Sequence, residues 1–162
     1  MKRFEELITL VREKGVVFEL LTHRPAKTCR ETTQITGGAV EQGGKALVCY
    51  ADSMPIMVVL PCSKRLNFQK FKTLFGFRNL RLATGAEVKK LTGLEVGSIP
   101  PFGFLFDLPT YIEKAMGVSG KIAFSPADKG KTMIIAYEGF LDISRDVSFG
   151  SFSDEYEVGS QS

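Results

Sequence analysis

The residues that could do chemistry in this sequence fall at a few places: the loop Leu91-Thr92-Gly93-Leu94-Glu95-Val96-Gly97-Ser98-Ile99-Pro100-Pro101-Phe102-Gly103, Lys45 behind Gly43-Gly44, and His23 beside Arg24-Pro25. In the loop, consecutive prolines fix φ near about −65° and remove two backbone donors, while the glycines leave the main chain open to close approach. Such a loop can hold amides still against a small polar ligand; the plain alternative is a turn joining two elements. Lys45 opens an apolar run, so its ammonium reaches either solvent or a pocket at the end of a sheet. His23 is the only histidine, which excludes any site needing two, and it suits either a surface turn or a hydrogen-bonding place in a pocket. GxSxG, HExxH and GxxxxGK[ST] are all absent. Gly43-Gly44-Lys45 matches only the end of a phosphate loop, because Ala46 stands where a Ser or Thr is needed.

Composition sets the frame. At 162 residues the chain suits one domain with a substantial core, and 44% apolar with 24% charged residues is ordinary for a soluble globular protein. No apolar run approaches the about 18 residues of a membrane span, and the start of the chain lacks the continuous apolar stretch of a signal peptide. A cytosolic location is expected. Cys29, Cys49 and Cys62 are odd in number and lack CxxC spacing, which predicts reduced, structural thiols and no zinc site, with Cys49 and Cys62 inert in apolar surroundings. Net charge is only +3, but Lys64, Arg65, Lys70, Lys72, Arg78, Arg81, Lys89 and Lys90 face a single acid, Glu87, within residues 64–90. This stretch suits either phosphate attraction or a solvated lysine-rich helix face.

The elements that must position these groups alternate. Phe4, Leu7, Ile8, Leu10 and Val11 recur at helical spacing up to Gly15, and residues 16–21 read as a strand. Thr28-Cys29-Arg30-Glu31 has the capping-box pattern, predicting a helix that runs to Gly37-Gly38. Residues 45–51 and 56–60 form a hairpin of central strands around Asp52-Ser53-Met54-Pro55. Asn67 caps a helix with Phe68, Phe71, Leu74 and Phe75 on one face; residues 79–82 are a brief strand; Thr84-Gly85-Ala86-Glu87 opens a helix ending at Gly93. Residues 103–108 and 121–124 read as strands, 132–137 as a strand or a buried helix, and 148–162 as a loose, flexible tail. Short turns between strands favour antiparallel pairing, so the predicted architecture is α+β: a mixed, mainly antiparallel, barrel-like sheet surrounded by helices.

Three motifs in register then carry a resemblance. His23-Arg24-Pro25-Ala26-Lys27-Thr28-Cys29-Arg30-Glu31-Thr32, Gly44-Lys45-Ala46-Leu47-Val48, and Leu91-Thr92-Gly93 with Gly97-Ser98-Ile99-Pro100-Pro101-Phe102-Gly103 resemble the successive motifs of the YbaK-like family, the prolyl-tRNA synthetase-associated editing domains and their free-standing relatives. The resemblance spans residues 16–143 and implies one editing domain over 1–147 with that sheet architecture. It implies a trans-acting hydrolase of mischarged aminoacyl-tRNA, for a small amino acid such as alanine or cysteine on the tRNA for proline. By position, Lys45 matches the family's key lysine, residues 97–103 its Gly-x-x-x-Pro-Phe-Gly loop, Thr28 and His23 the pocket-side entry to the second helix, and Asp107 an acidic position after the loop. The implied partners are the acceptor end of tRNA and prolyl-tRNA synthetase, with neither membrane nor DNA, and no cofactor or metal is expected. Aminoacyl-tRNA is an activated ester, so orienting water or a ribose hydroxyl and stabilising an oxyanion suffices. Lys45 is therefore expected to act by electrostatic positioning. Pro100 departs from the family pattern and stiffens the loop further. A silent tRNA-binding or synthetase-associated module, or a hydrolase of other small esters or amides, remain the other readings.

Overall fold

The computed structural model describes residues 2–26, 28–39 and 41–156. At its centre lies the hairpin of β2 (Gly44–Ala51) and β3 (Met54–Pro61), in a register that pairs Lys45 with Leu60 and Ala51 with Met54. Asp52 and Ser53, between the strands, both have positive φ (48° and 72°), the backbone that lets a two-residue turn follow the strands' right-handed twist. The Asp52 carboxylate stabilises the turn by accepting from the Arg78 and Asn79 amides at 3.0 and 2.8 Å. Met57 and Val59 enter one core with Val48, while Ile56, Val58 and Leu60 enter a second with Cys49 and Ala51. Burial on both faces explains why residues 56–60 are apolar without alternation.

The hairpin belongs to a five-stranded sheet in the order β5–β2–β3–β6–β9, with β5 at Leu80–Leu82, β6 at Thr110–Glu113 and β9 at Val147–Gly150. β5, β2 and β3 pair antiparallel; β3, β6 and β9 pair parallel. A three-stranded antiparallel sheet has β8 (Lys131–Ala136) between β1 (Phe18–Thr22) and β7 (Lys121–Phe124), and it touches the larger sheet through the Gly43–Ala123 bridge. β4 (Lys64–Leu66) pairs with β10 (Ser153–Glu155). The fold is thus α+β with mixed, mainly antiparallel pairing, as expected. It is not a closed barrel: the larger sheet ends at β5 and β9.

Helices α1 (Lys2–Glu13), α2 (Cys29–Thr36), α3 (Phe68–Phe75), α4 (Gly85–Thr92) and α5 (Tyr137–Ile143) surround these sheets. Thr28, Asn67 and Thr84 cap α2, α3 and α4 by accepting from the amides of Glu31, Lys70 and Glu87. Among the described residues no helix is long and apolar enough to cross a membrane.

The structure corrects two local expectations and decides a third segment that was open. Residues 103–108 are not a strand: Gly103–Phe106 is a 3-10 turn, closed by the Leu108 amide on the Gly103 carbonyl at 3.0 Å, and the strand begins at Thr110. A buried turn and a buried strand are equally apolar, so composition did not separate them. The undecided residues 132–137 are strand through Ala136 and helix from Tyr137. Residues 148–156 are no loose tail, since they include most of β9 and all of β10, and Phe152 is fully buried. The remainder of the expected tail, 157–162, lies outside the described residues.

Candidate active site

A cavity of about 680 Å³ opens where β2 begins, bounded by α2, by one face of the β1–β8–β7 sheet and by Val96, Gly97 and Ile99. Lys45 is half-buried at its edge and donates from Nζ to the Tyr156 hydroxyl at 2.7 Å. Gly44 permits this start of the strand, because a Cβ there would lie 2.9 Å from Ile122 Cδ1. On the facing sheet, Glu19 and Leu21 of β1 pair with Ile134 and Thr132 of β8, and all four line the cavity. Strand periodicity of two puts them on one face. Glu19 is the only acid among the described lining residues; it is exposed, and its carboxylate has no hydrogen bond or ion pair with the described residues. Two lining lysines are engaged: Lys129 with Glu95 at 3.1 Å and Lys131 with Asp128 at 3.2 Å. Asp128 is held below the usual carboxylate range: burial pushes its carboxyl up, but the Gly130 amide and Lys131 outweigh that.

Helix α2 supplies a wall of threonines. Thr28, Thr32 and Thr36 recur every four residues, with Thr33 beside them, and all four line the cavity. The hydroxyls of Thr32, Thr33 and Thr36 donate to the carbonyls of Thr28, Cys29 and Thr32 at 3.1, 3.0 and 2.9 Å. Each hydroxyl proton is used by the helix, which leaves the oxygens as acceptors.

Only part of the expected loop reaches the cavity. Gly97, at φ 91°, and Ile99 line it, and among the described residues neither amide finds an acceptor. Ser98 is buried and its hydroxyl donates to the Glu95 carbonyl at 2.8 Å. Pro100, Pro101, Phe102 and Gly103 are buried and anchor the loop instead. The Phe102 ring packs on Phe124 and Phe140 with centroids 5.5 and 5.3 Å apart. A Cβ on Gly103 would collide with the Thr110 hydroxyl and come within 2.5 Å of the Leu108 carbonyl oxygen. His23 stands behind the wall: Nδ1 donates to the Arg24 carbonyl at 2.7 Å, so in the neutral ring Nε2 accepts from the Thr132 hydroxyl at 2.9 Å. Asp107 lies apart from the cavity. It is exposed at φ 58°, closing the 3-10 turn, a conformation that Asp tolerates better than most residues.

The cysteine expectation is overturned. Cys29 and Cys62 form a disulfide with Cα atoms 5.7 Å apart, and both line the cavity. An odd count and missing CxxC spacing carry no information on a pair 33 residues apart. Cys49 is free and fully buried, which pushes its thiol up to about 12. Glu19 and Tyr156 also escaped sequence reasoning. The spacing of the α2 threonines was a usable signal, whereas nothing local links Tyr156 to a lysine 111 residues earlier. Among the described residues no cluster of His, Cys, Asp and Glu could hold a metal ion.

Known proteins resemble this chain along most of its length. Residues 23–143 match the family model described as the aminoacyl-tRNA editing domain. The chain is 29% identical over 150 residues to the multifunctional Ser/Thr-tRNA deacylase ProXp-y of Escherichia coli K12, covering 87% of both chains. It is 31% identical over 117 residues to the proline–tRNA ligase of Solidesulfovibrio magneticus, covering 70% of this chain and 19% of the ligase. The crystal structure of a proposed trans-editing enzyme for prolyl tRNA synthetase superposes with a TM-score of 0.80 over 95% of this chain and 98% of that one, at 22% identity. With three quarters of its length inside the matched region, the chain belongs to the aminoacyl-tRNA editing domain family.

Proposed function

We propose that this protein is a trans-acting aminoacyl-tRNA deacylase of the cytoplasm, hydrolysing the ester of a small hydroxyl amino acid, serine or threonine, on a mischarged tRNA. The observation that supports this reading best is that Lys45, the threonines of α2, and Gly97 and Ile99 with their free amides line one cavity of a size usual for small-molecule sites. Lys45 engages the terminal phosphate or ribose and fixes the ester. The loop amides stabilise the oxyanion that forms as water adds to the carbonyl, and collapse of that intermediate frees the amino acid and the ribose hydroxyl. Glu19 accepts from the α-ammonium, and the α2 hydroxyl oxygens accept from the side-chain hydroxyl of the substrate. Alanine and cysteine fill the same volume but leave those oxygens unpaired or weakly paired. Serine and threonine agree with the substrates named for the E. coli relative. Prolyl-tRNA synthetase is a candidate partner, since an equivalent segment lies within the longer ligase.

The test is single-turnover deacylation of tRNAs charged with serine, threonine, alanine, cysteine and proline, with wild type and Lys45→Ala. Serine and threonine are expected to be released fastest. The variant should lose about 100-fold in rate, the order that a misplaced reacting group costs, with unchanged circular dichroism. Binding without turnover across the panel would mean a silent module, and retained turnover in the variant would remove Lys45 from the site.

A further inference from the structure

The Cys29–Cys62 bond joins two walls of the cavity. Of the five α-helices among the described residues, α2 alone buries no side chain. Its threonine hydroxyls bond back to its own turns rather than across to a neighbour. Cys29 is the first residue of α2, beside the Thr28 cap. Cys62 follows β3, and its amide donates to the Gly43 carbonyl at 2.8 Å, directly ahead of Gly44 and Lys45. The disulfide therefore runs from the threonine wall to the strand end that presents the lysine.

We propose that Cys29 and Cys62 are a redox-active latch that fixes the threonine wall when oxidised and releases it when reduced by a small-molecule thiol. Charged tRNA is used where glutathione and thioredoxin keep protein thiols reduced, and disulfides that form in such a compartment are usually catalytic or redox-sensing. This compartment argument, and the activity readout below, rest on the deacylase reading. Cys29 is half-buried while Cys62 is 3% exposed, so a thiolate attacks at Cys29 Sγ. A mixed disulfide forms there and Cys62 leaves as a thiolate, which takes up a proton. A second thiol attacks the mixed disulfide, giving a low-molecular-weight disulfide and the Cys29 thiolate. Two small thiols are oxidised and one protein disulfide is reduced. Glutathione disulfide runs the same steps backwards, so no other oxidant is needed. The amides of the first turn of α2 favour the Cys29 thiolate in both directions. Cys49 takes no part, being fully buried.

The full chain is equilibrated in glutathione buffers, trapped with iodoacetamide for intact mass, and measured in parallel for amide exchange and for release of serine from mischarged tRNA. In excess reduced glutathione two alkylations are expected with native circular dichroism, and exchange across residues 29–36 speeds at least about tenfold as α2 opens. KM rises about tenfold if a tenth of the molecules keep the wall closed. Glutathione disulfide restores both values, whereas Cys62→Ser keeps the fast α2 exchange in either buffer and carries one glutathione on Cys29 in the oxidising one. A disulfide that resists excess reduced glutathione in the native protein would overturn the latch, as would alkylation with unchanged exchange in α2. If neither state hydrolyses any charged tRNA, the deacylase reading falls, while alkylation and exchange still decide the latch.

Discussion

Replacing Glu113 by Gln tests how the C-terminal strand is fastened beside the cavity. Glu113 is 3% exposed, and four hydrogen bonds converge on it. Oε1 accepts from the Phe152 and Ser153 amides, both at 2.8 Å, and from the Ser153 hydroxyl at 2.7 Å; Oε2 accepts from the Ala115 amide at 2.9 Å. Burial by itself would raise the carboxyl pKa, but the bonds from the Ser153 hydroxyl and the three amides outweigh it and hold it below the usual range. Gln keeps one oxygen for the donors at Oε1 but turns an NH₂ toward the Ala115 amide. Bonds to a charged acceptor contribute about 1.5–3 kcal/mol and neutral ones about 0.5–1.5, so three weaken by about 1 kcal/mol each, and the orphaned donor costs about 1–3 more. Because the three share one acceptor, we expect a net loss of about 4 kcal/mol, or a fall in Tm of roughly 8–16 °C.

The assay is urea unfolding of Glu113 and Glu113→Gln proteins from pH 7 downward. The folded pKa is depressed, so the carboxylate's contribution is complete above the unfolded value of about 4.3 and is lost as pH falls through the lower folded value. The two curves should therefore lie furthest apart near neutrality and converge in acid. A gap under about 1 kcal/mol at pH 7, or one that persists unchanged into acid, would mean that the Glu113 carboxylate does not fasten this strand.

Other consequences are as direct. Glu19→Gln should raise KM by about 10- to 100-fold, the worth of a charged hydrogen bond, and should erase discrimination against N-acetylated aminoacyl-tRNA; preserved discrimination excludes Glu19 from the α-amine. Gly103→Ala should cost about 1–3 kcal/mol in urea unfolding through overpacking against Leu108 and Thr110, and an unaltered midpoint would contradict the close packing seen there. Lys64, Lys70 and Arg81 are tied to Glu155, Asp154 and Glu87, whereas Arg65, Lys72 and Arg78 carry no salt bridge among the described residues. Neutralising those three should flatten the salt dependence of tRNA binding by about 0.7–0.9 for each phosphate they had neutralised; an unchanged slope would make this face merely solvated.

What the sequence made legible was local. The caps at Thr28, Asn67 and Thr84 mark helix starts because a side-chain oxygen three residues before an amide is a short-range geometric event. The β2–β3 hairpin showed through its apolar runs. Within the candidate site, Lys45, Thr28 and the loop emerged from their motifs, yet only Gly97 and Ile99 of residues 97–103 line the cavity, since a buried anchor and an exposed contact surface can share one motif. Asp107 fell away because its backbone conformation, not its carboxylate, suits its position. Glu19, the Cys29–Cys62 pair and Tyr156 depend on which strands lie side by side, and no spacing along the chain encodes that.

The bond between Lys45 and Tyr156 also has a schedule. Its partners are 111 residues apart, so at about 5–20 residues per second the ribosome makes the lysine roughly 6–22 s before the hydroxyl that receives it. During that interval the hairpin, the threonine helix and the loop can all be in place, while the lysine still lacks its neighbour. A chain stalled or cut short of Tyr156 therefore carries every motif by which its family is recognised and a cavity with its lysine untethered.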